Sequence, residues 1–295
     1  MRKSLRIAGA TLAATLLALP LANAGLRERL AQRRAAATEV PGARVLRDVT
    51  YGRDPRQRFD VHVPRGAHDA PVLFMVHGGG WRNGDKALDG VVENKAKRWL
   101  RHGVIVVSVN YRMLPDADPL MQARDVAAAL AAAQRKVATL GGDPDRFVLM
   151  GHSAGGHLVA LLAAAPEIAR EANARPWLGT ILLDAGTVDV VARMQQRHLP
   201  LFDQAFGSDP RFWASASPMQ RLHGRPAPIL AVCSSKRTDS CPPNQRFVDK
   251  VHALGGRAEV LPQALSHRDI NVQLGEENAY TQAVERFLRS LGLPV

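Results

Sequence analysis

Five short apolar runs set the first constraint on this chain. They are PVLFMV (71–76), VIVVSV (104–109), RFVLM (146–150), TILL (180–183) and PILAVC (228–233). None alternates apolar with polar, so each reads as a strand buried on both faces rather than on one. Between them lie stretches of helical character: 91–102, an alanine-rich 119–138 opening at Asp118-Pro119, 154–165 and 242–254. A further strand is expected at 258–262 and a closing helix at 277–291. Repeated strand–helix order implies a mostly parallel sheet with helices on both faces and right-handed crossovers. Two alternating stretches, 45–50 and 57–63, are separated by the turn residues YGRDP and read as an edge hairpin. Residues 187–220 are less periodic and read as a small excursion over the sheet.

Length and composition fit one such domain. The chain has 295 residues, 46% of them hydrophobic, enough for a sizeable core. Residues 1–24 are set apart from the fold. Arg2, Lys3 and Arg6 precede an apolar run that ends in Ala22-Asn23-Ala24, the pattern of a secretory signal peptide cleaved before Gly25. The expectation is an exported protein, periplasmic or secreted, with no stable membrane anchor after cleavage. A lead-in segment at 25–44 then precedes a domain at 45–295. Cleavage lowers the formal charge from +12 to +9, since three cations and no acids leave. The remaining Lys and Arg are dispersed and aromatic residues are only 5%, which argues against nucleic acid as a partner. Oligomeric state is not legible. The two cysteines, Cys233 and Cys241, are expected to form a disulfide in an oxidising compartment.

In open sheets of this kind, ligands bind beyond the carboxyl ends of the strands. After RFVLM comes Gly151-His152-Ser153-Ala154-Gly155, a G-x-S-x-G motif between a strand and a helix. The glycines allow a sharp turn that lifts Ser153 to the start of the helix, where free N–H groups and the positive dipole end lie. Neither phosphate-loop spacing is present. A serine hydroxyl needs a base, and of ten histidines His267, just past the last strand, is best placed. His152 and His157 are expected to support the turn. His198 lies in the excursion, where it could touch substrate.

The base needs an acid to fix its tautomer. Asp239, after PILAVCS, is ranked first, with Asp184 and Asp189 as rivals, because all three satisfy the order serine, acid, histidine. For the oxyanion, His77-Gly78-Gly79-Gly80-Trp81 supplies Gly79 and Gly80 as donors, with the Ala154 N–H as a third.

With these residues in place, the chain resembles the α/β-hydrolase superfamily, and within it the carboxylesterases related to hormone-sensitive lipase and the BD-FAE group. The stretches that carry the resemblance are YGRDPRQRFDVHVP, HGGGWRNGDK, VSVNYRM, the helix holding Asp125, GHSAGGH, FGSDPRFWASASP, the Asp239 loop and LSH, spanning roughly residues 48–270. The resemblance implies an eight-stranded sheet, a small cap and a Ser153–His267–Asp239 triad. It implies no cofactor and no metal. It also implies bracing roles for Asn110, Tyr111, Arg112 and Asp125. One departure stands out: the family's acid loop commonly runs H-G-x-x-D-x-x-V-P, and here Ser235-Lys236 replaces His-Gly. The function expected is hydrolysis of small carboxylic esters through an acyl-enzyme. The alternatives are an arylformamidase-type amidase, a peptidase and a non-catalytic binding protein on the same fold.

Overall fold

The computed structural model describes residues 43–295; the expected signal peptide and nearly all of the lead-in lie outside the described residues. Eight strands form one sheet: β1 (Arg44–Thr50), β2 (Arg58–Val63), β3 (Ala70–Val76), β4 (Ile105–Val109), β5 (Gly142–His152), β6 (Gly179–Leu183), β7 (Ile229–Ser234) and β8 (Ala258–Gln263). Their order is β1-β2-β4-β3-β5-β6-β7-β8. The β1–β2 and β2–β4 pairs are antiparallel and all others are parallel. The edge hairpin and the five buried runs thus fall where the hydrophobic pattern puts them.

The long helices are α1 (Asp89–Trp99), α2 (Pro119–Ala138), α3 (Ala154–Ala164), α9 (Cys241–Ala253) and α11 (Ala279–Ser290). The α2 helix starts as its sequence predicts. Asp118 accepts a hydrogen bond from the Met121 N–H, and Pro119 sits where a missing N–H costs nothing. The excursion breaks into four short helices: α5 (Val190–Met194), α6 (Pro200–Phe206), α7 (Pro210–Ser215) and α8 (Pro218–Arg221). Two short helices were not anticipated, α4 (Glu167–Glu171) and α10 (His267–Val272).

The strand period of two sorts each buried run into two cores. Val72, Phe74 and Val76 face a cluster with Val126, Leu130, Leu158 and Phe247, from α2, α3 and α9. Leu73 and Met75 face the other, with Val92, Trp99, Val284 and Leu288 from α1 and α11. Both faces are covered, which is why these runs carry no polar alternation. The strand ends of β3, β5, β6 and β7, with the loop after β8, then meet at one rim of the sheet.

Candidate active site

At that rim Ser153 has φ 53°, a left-handed conformation, and its N–H donates to the Leu183 carbonyl of β6 at 2.9 Å. Strain of this kind persists only where surrounding structure over-determines it. Here the flanking glycine does so: a Cβ on Gly155 would lie 2.3 Å from the Val76 carbonyl oxygen. The second glycine of the motif is a steric requirement of seating α3 against β3.

The loop expected to hold the oxyanion leaves β3 through a similarly tight turn. Gly79 has φ 124°, and a Cβ there would stand 2.0 Å from the Asn83 carbonyl oxygen. Trp81 follows at φ 58° and is buried, with its ring edge-on to Phe202, Phe206 and His157. Its Nε1–H donates to His157 Nδ1 at 3.2 Å, and His157 Nε2 then donates to the Ala216 carbonyl at 2.8 Å. Both partners together fix the neutral Nε2–H tautomer, and burial lowers the His157 pKa to about 4. This chain ties the loop to α3 and to the excursion. Sequence reasoning placed His157 as a support but did not see the Trp81 contact. Two expected braces are also in place. Tyr111 donates to the His77 carbonyl at 2.9 Å, and Arg112 grips Asp125 at 2.7 and 2.8 Å.

His267 opens α10. Ser266 caps that helix by accepting from the Asp269 N–H, so S-x-x-D was the legible signal for an element that strand–helix periodicity missed. His152 donates from Nε2 to the His267 carbonyl at 2.9 Å, and the two rings lie 4.5 Å apart. Burial, then the neighbouring His267, hold the His152 pKa down to about 3, so it packs as a neutral ring.

The acid is a correction. His267 Nδ1 lies 2.6 Å from Asp184 Oδ2, not against Asp239. Asp184 follows β6 at φ 50° and its side chain is fully buried. Its Oδ1 accepts from the Ser234 N–H at 2.8 Å and from the Ser240 hydroxyl. Burial pushes its pKa up, but hydrogen bonds from His267, Ser240 and Ser234, with the charge of Arg237, outweigh that and hold it well below the usual carboxylate range. Asp239 instead turns outward, 43% exposed, and is held by Arg237 Nε and Nη2 at 3.1 and 3.2 Å and by Arg193 at 3.4 Å. Arg237 occupies the space between, its Nη1 2.6 Å from Asp184 Oδ2. A charged residue at the very end of a buried strand must find partners, and that was the signal favouring Asp184. Asp189, the other rival, caps α5 by accepting from the Ala192 N–H.

Cys233 and Cys241 are bonded, closing the loop that carries Arg237, Asp239 and Ser240. A cleft of about 510 Å³ is lined by Gly79, Gly80, Ser153, Ala154, Asp184 and His267 at its base and by Leu199, Leu201 and Phe202 of the excursion above. His198 is engaged with Asp203 at 2.9 Å.

A family model, BD-FAE, matches residues 59–245. The chain belongs to the BD-FAE family. Among relatives of this BD-FAE protein, "Probable carboxylic ester hydrolase LipM" of Mycobacterium tuberculosis (strain ATCC 25618 / H37Rv) is 30% identical, over 90% of this chain and 68% of its own. A "Probable isoprenylcysteine alpha-carbonyl methylesterase" of Oryza sativa subsp. japonica is 33% identical over 46% of this chain. That match spans about a third (32%) of the plant protein's length. Among solved structures, esterase B of Lactobacillus Rhamnosis (HN001) superposes with a TM-score of 0.71 at 22% identity, covering 94% of each chain. Apo Thermogutta terrifontis esterase 2 gives 0.69 at 20% identity, covering 86% of this chain and 97% of its own. These likenesses establish the α/β-hydrolase fold of this BD-FAE member.

Proposed function

We propose that this protein is a serine hydrolase that cleaves small carboxylic esters through an acyl-enzyme. The observation that carries the reading is the 2.6 Å contact between His267 Nδ1 and buried Asp184, in the same cleft as the strained Ser153. With Nδ1–H donated to Asp184, the Nε2 lone pair is free to act as base. Ser153 Oγ attacks the ester carbonyl and His267 takes its proton. The oxyanion forms beside the backbone N–H groups of Gly79, Gly80 and Ala154. The carbonyl then re-forms, the alcohol leaves with the proton from His267, and water deprotonated by His267 releases the acid. Relatives named as a carboxylic ester hydrolase and a methylesterase support an ester substrate. The apolar wall of Leu199, Leu201 and Phe202 suits a short acyl or alcohol group. The Cys233–Cys241 bond fits an oxidising, extracytoplasmic compartment.

The test is hydrolysis of p-nitrophenyl acetate, butyrate and octanoate by the wild type and Ser153→Ala, with fluorophosphonate labelling in parallel. A fall of roughly a thousandfold or more in the variant is expected, with labelling lost. Turnover of an arylformamide but of none of the esters would make it an amidase. No turnover and no labelling of Ser153 would leave a binding protein.

A further inference from the structure

One side chain that touches both His267 and Asp184 is not used by the proposed reaction. Arg237 Nη1 lies 2.6 Å from Asp184 Oδ2 and 2.8 Å from His267 Nδ1. A guanidinium has only donors to offer. His267 Nδ1 carries either a hydrogen or a lone pair, never both. With Nδ1–H present, His267 and Arg237 both donate to Asp184 Oδ2, and the Nη1–Nδ1 contact sets donor against donor. With Nδ1 bare, Arg237 donates into it, and the ring hydrogen sits on Nε2, where it blocks the base. In both tautomers Arg237 works against the arrangement in which His267 accepts a proton. Asp239 offsets this by drawing Arg237 Nε and Nη2 to its own oxygens at 3.1 and 3.2 Å.

We propose that Arg237 is a positioning residue that competes with His267 for Asp184 and restrains the basicity of the pair, and that Asp239 sets how strongly it does so. The proposal rests on the serine-hydrolase reading for its consequence on rate, but its geometry does not. It gives the outward-turned Asp239 a role. Asp239, ranked first from the sequence, acts on His267 only through the arginine.

Among the described residues, the other charged and titratable groups around His267 are few. His152 faces it from the end of β5, with Lys95 of α1 exerting its charge on His152. Asp184 comes from β6, and Tyr280 of α11 lies close enough to feel its charge. Arg237 and Asp239 come from the loop after β7, with Arg193 of α5 on Asp239. Arg268 and Asp269 follow on its own helix. Among the described residues, only Arg237 touches both members of the pair.

The experiment compares wild type with Arg237→Gln, Arg237→Lys and Asp239→Asn, titrating the His267 ring by NMR in the resting enzyme. The pH dependence of kcat/KM and of fluorophosphonate labelling is followed in parallel. In R237Q the His267 midpoint and the acidic limb of kcat/KM should both move up by about one pH unit, the size expected of a single nearby charge. The plateau should be held or raised. R237K should return most of the way to wild type. D239N should move both in the opposite direction and lower the plateau a few-fold. A lower plateau in R237Q with the midpoint and limb unmoved would reduce Arg237 to a loop brace and overturn the proposal. Movement of R237Q and D239N in the same direction would do so too. Because the NMR titration needs no turnover, an inactive wild type would sink the hydrolase reading while still deciding the Arg237 proposal.

Discussion

Asp184 and His267 stand 83 residues apart in sequence and 2.6 Å apart at the sheet rim. Every other lone-pair direction on Asp184 is also used, by Ser234, Ser240 and Arg237. The carboxylate is therefore held ionised and immobile, as a group that orients an imidazole must be.

Asp184→Asn should lower kcat by roughly three to four orders of magnitude, since an amide at Oδ2 favours the wrong His267 tautomer. Asp239→Asn should cost less than about tenfold, because Asp239 reaches His267 only through Arg237. Steady-state kinetics of the two variants decide between them, and the reverse order of severity would restore Asp239 as the acid.

The Cys233–Cys241 bond closes a short loop, worth about 2–3 kcal/mol by chain entropy. It also holds Ser240, whose hydroxyl donates to Asp184 Oδ1. Cys233→Ser/Cys241→Ser should lower the denaturant midpoint accordingly and reduce kcat/KM by about tenfold. Kinetics indifferent to the double substitution would mean that the loop keeps its path without the tether.

Arg193 of α5 crosses to Asp239 at 3.4 Å, with its guanidinium 5.4 Å from the Phe202 ring centroid. It stands between the 510 Å³ cleft and a neighbouring cavity of about 260 Å³, both of which it lines with Gly186 and Asp239. Arg193→Ala should join the two spaces. Since each buried methylene contributes about 0.8 kcal/mol, the octanoate-to-acetate ratio of kcat/KM should rise by about tenfold. An unchanged ratio would show that the wall lies elsewhere.

Lys95 is buried and has no carboxylate partner among the described residues; its Nζ donates to the Asn271 carbonyl at 2.6 Å and to that of Gly90 at 3.3 Å. Burial lowers its pKa from 10.5 to about 7. The unfolded chain therefore binds more protons than the folded one between those values, so Lys95 makes stability rise with pH across that window. Below about pH 7 its destabilisation is present in full. Lys95→Met should remove this slope. Between pH 7 and 9 the wild type should gain about 2 kcal/mol relative to the variant in denaturant unfolding. Parallel curves would show that Lys95 does not titrate there.

Much of this protein is written locally. Runs such as PVLFMV and RFVLM specify strands buried on both faces, because nothing in them suits water on either side. Gly151-His152-Ser153-Ala154-Gly155 specifies the turn, because a side chain at Gly155 would collide with the Val76 carbonyl. His267 was legible from its place after the last strand. Ser266 and Asp269 marked the short helix that holds it, though periodicity alone passed over so brief an element. The carboxylate that meets His267 was not legible in this way. Asp184, Asp189 and Asp239 all follow strands in the right order, and no spacing rule separates them. The choice falls to contacts between segments far apart in the chain: the end of β6, the loop closed by the disulfide, and the first residue of α10. Folding sets Asp184 facing His267 and interposes Arg237 before Asp239. Such competition among side chains depends on where backbones separated by scores of residues come to rest, and residue order along a single segment carries no record of it.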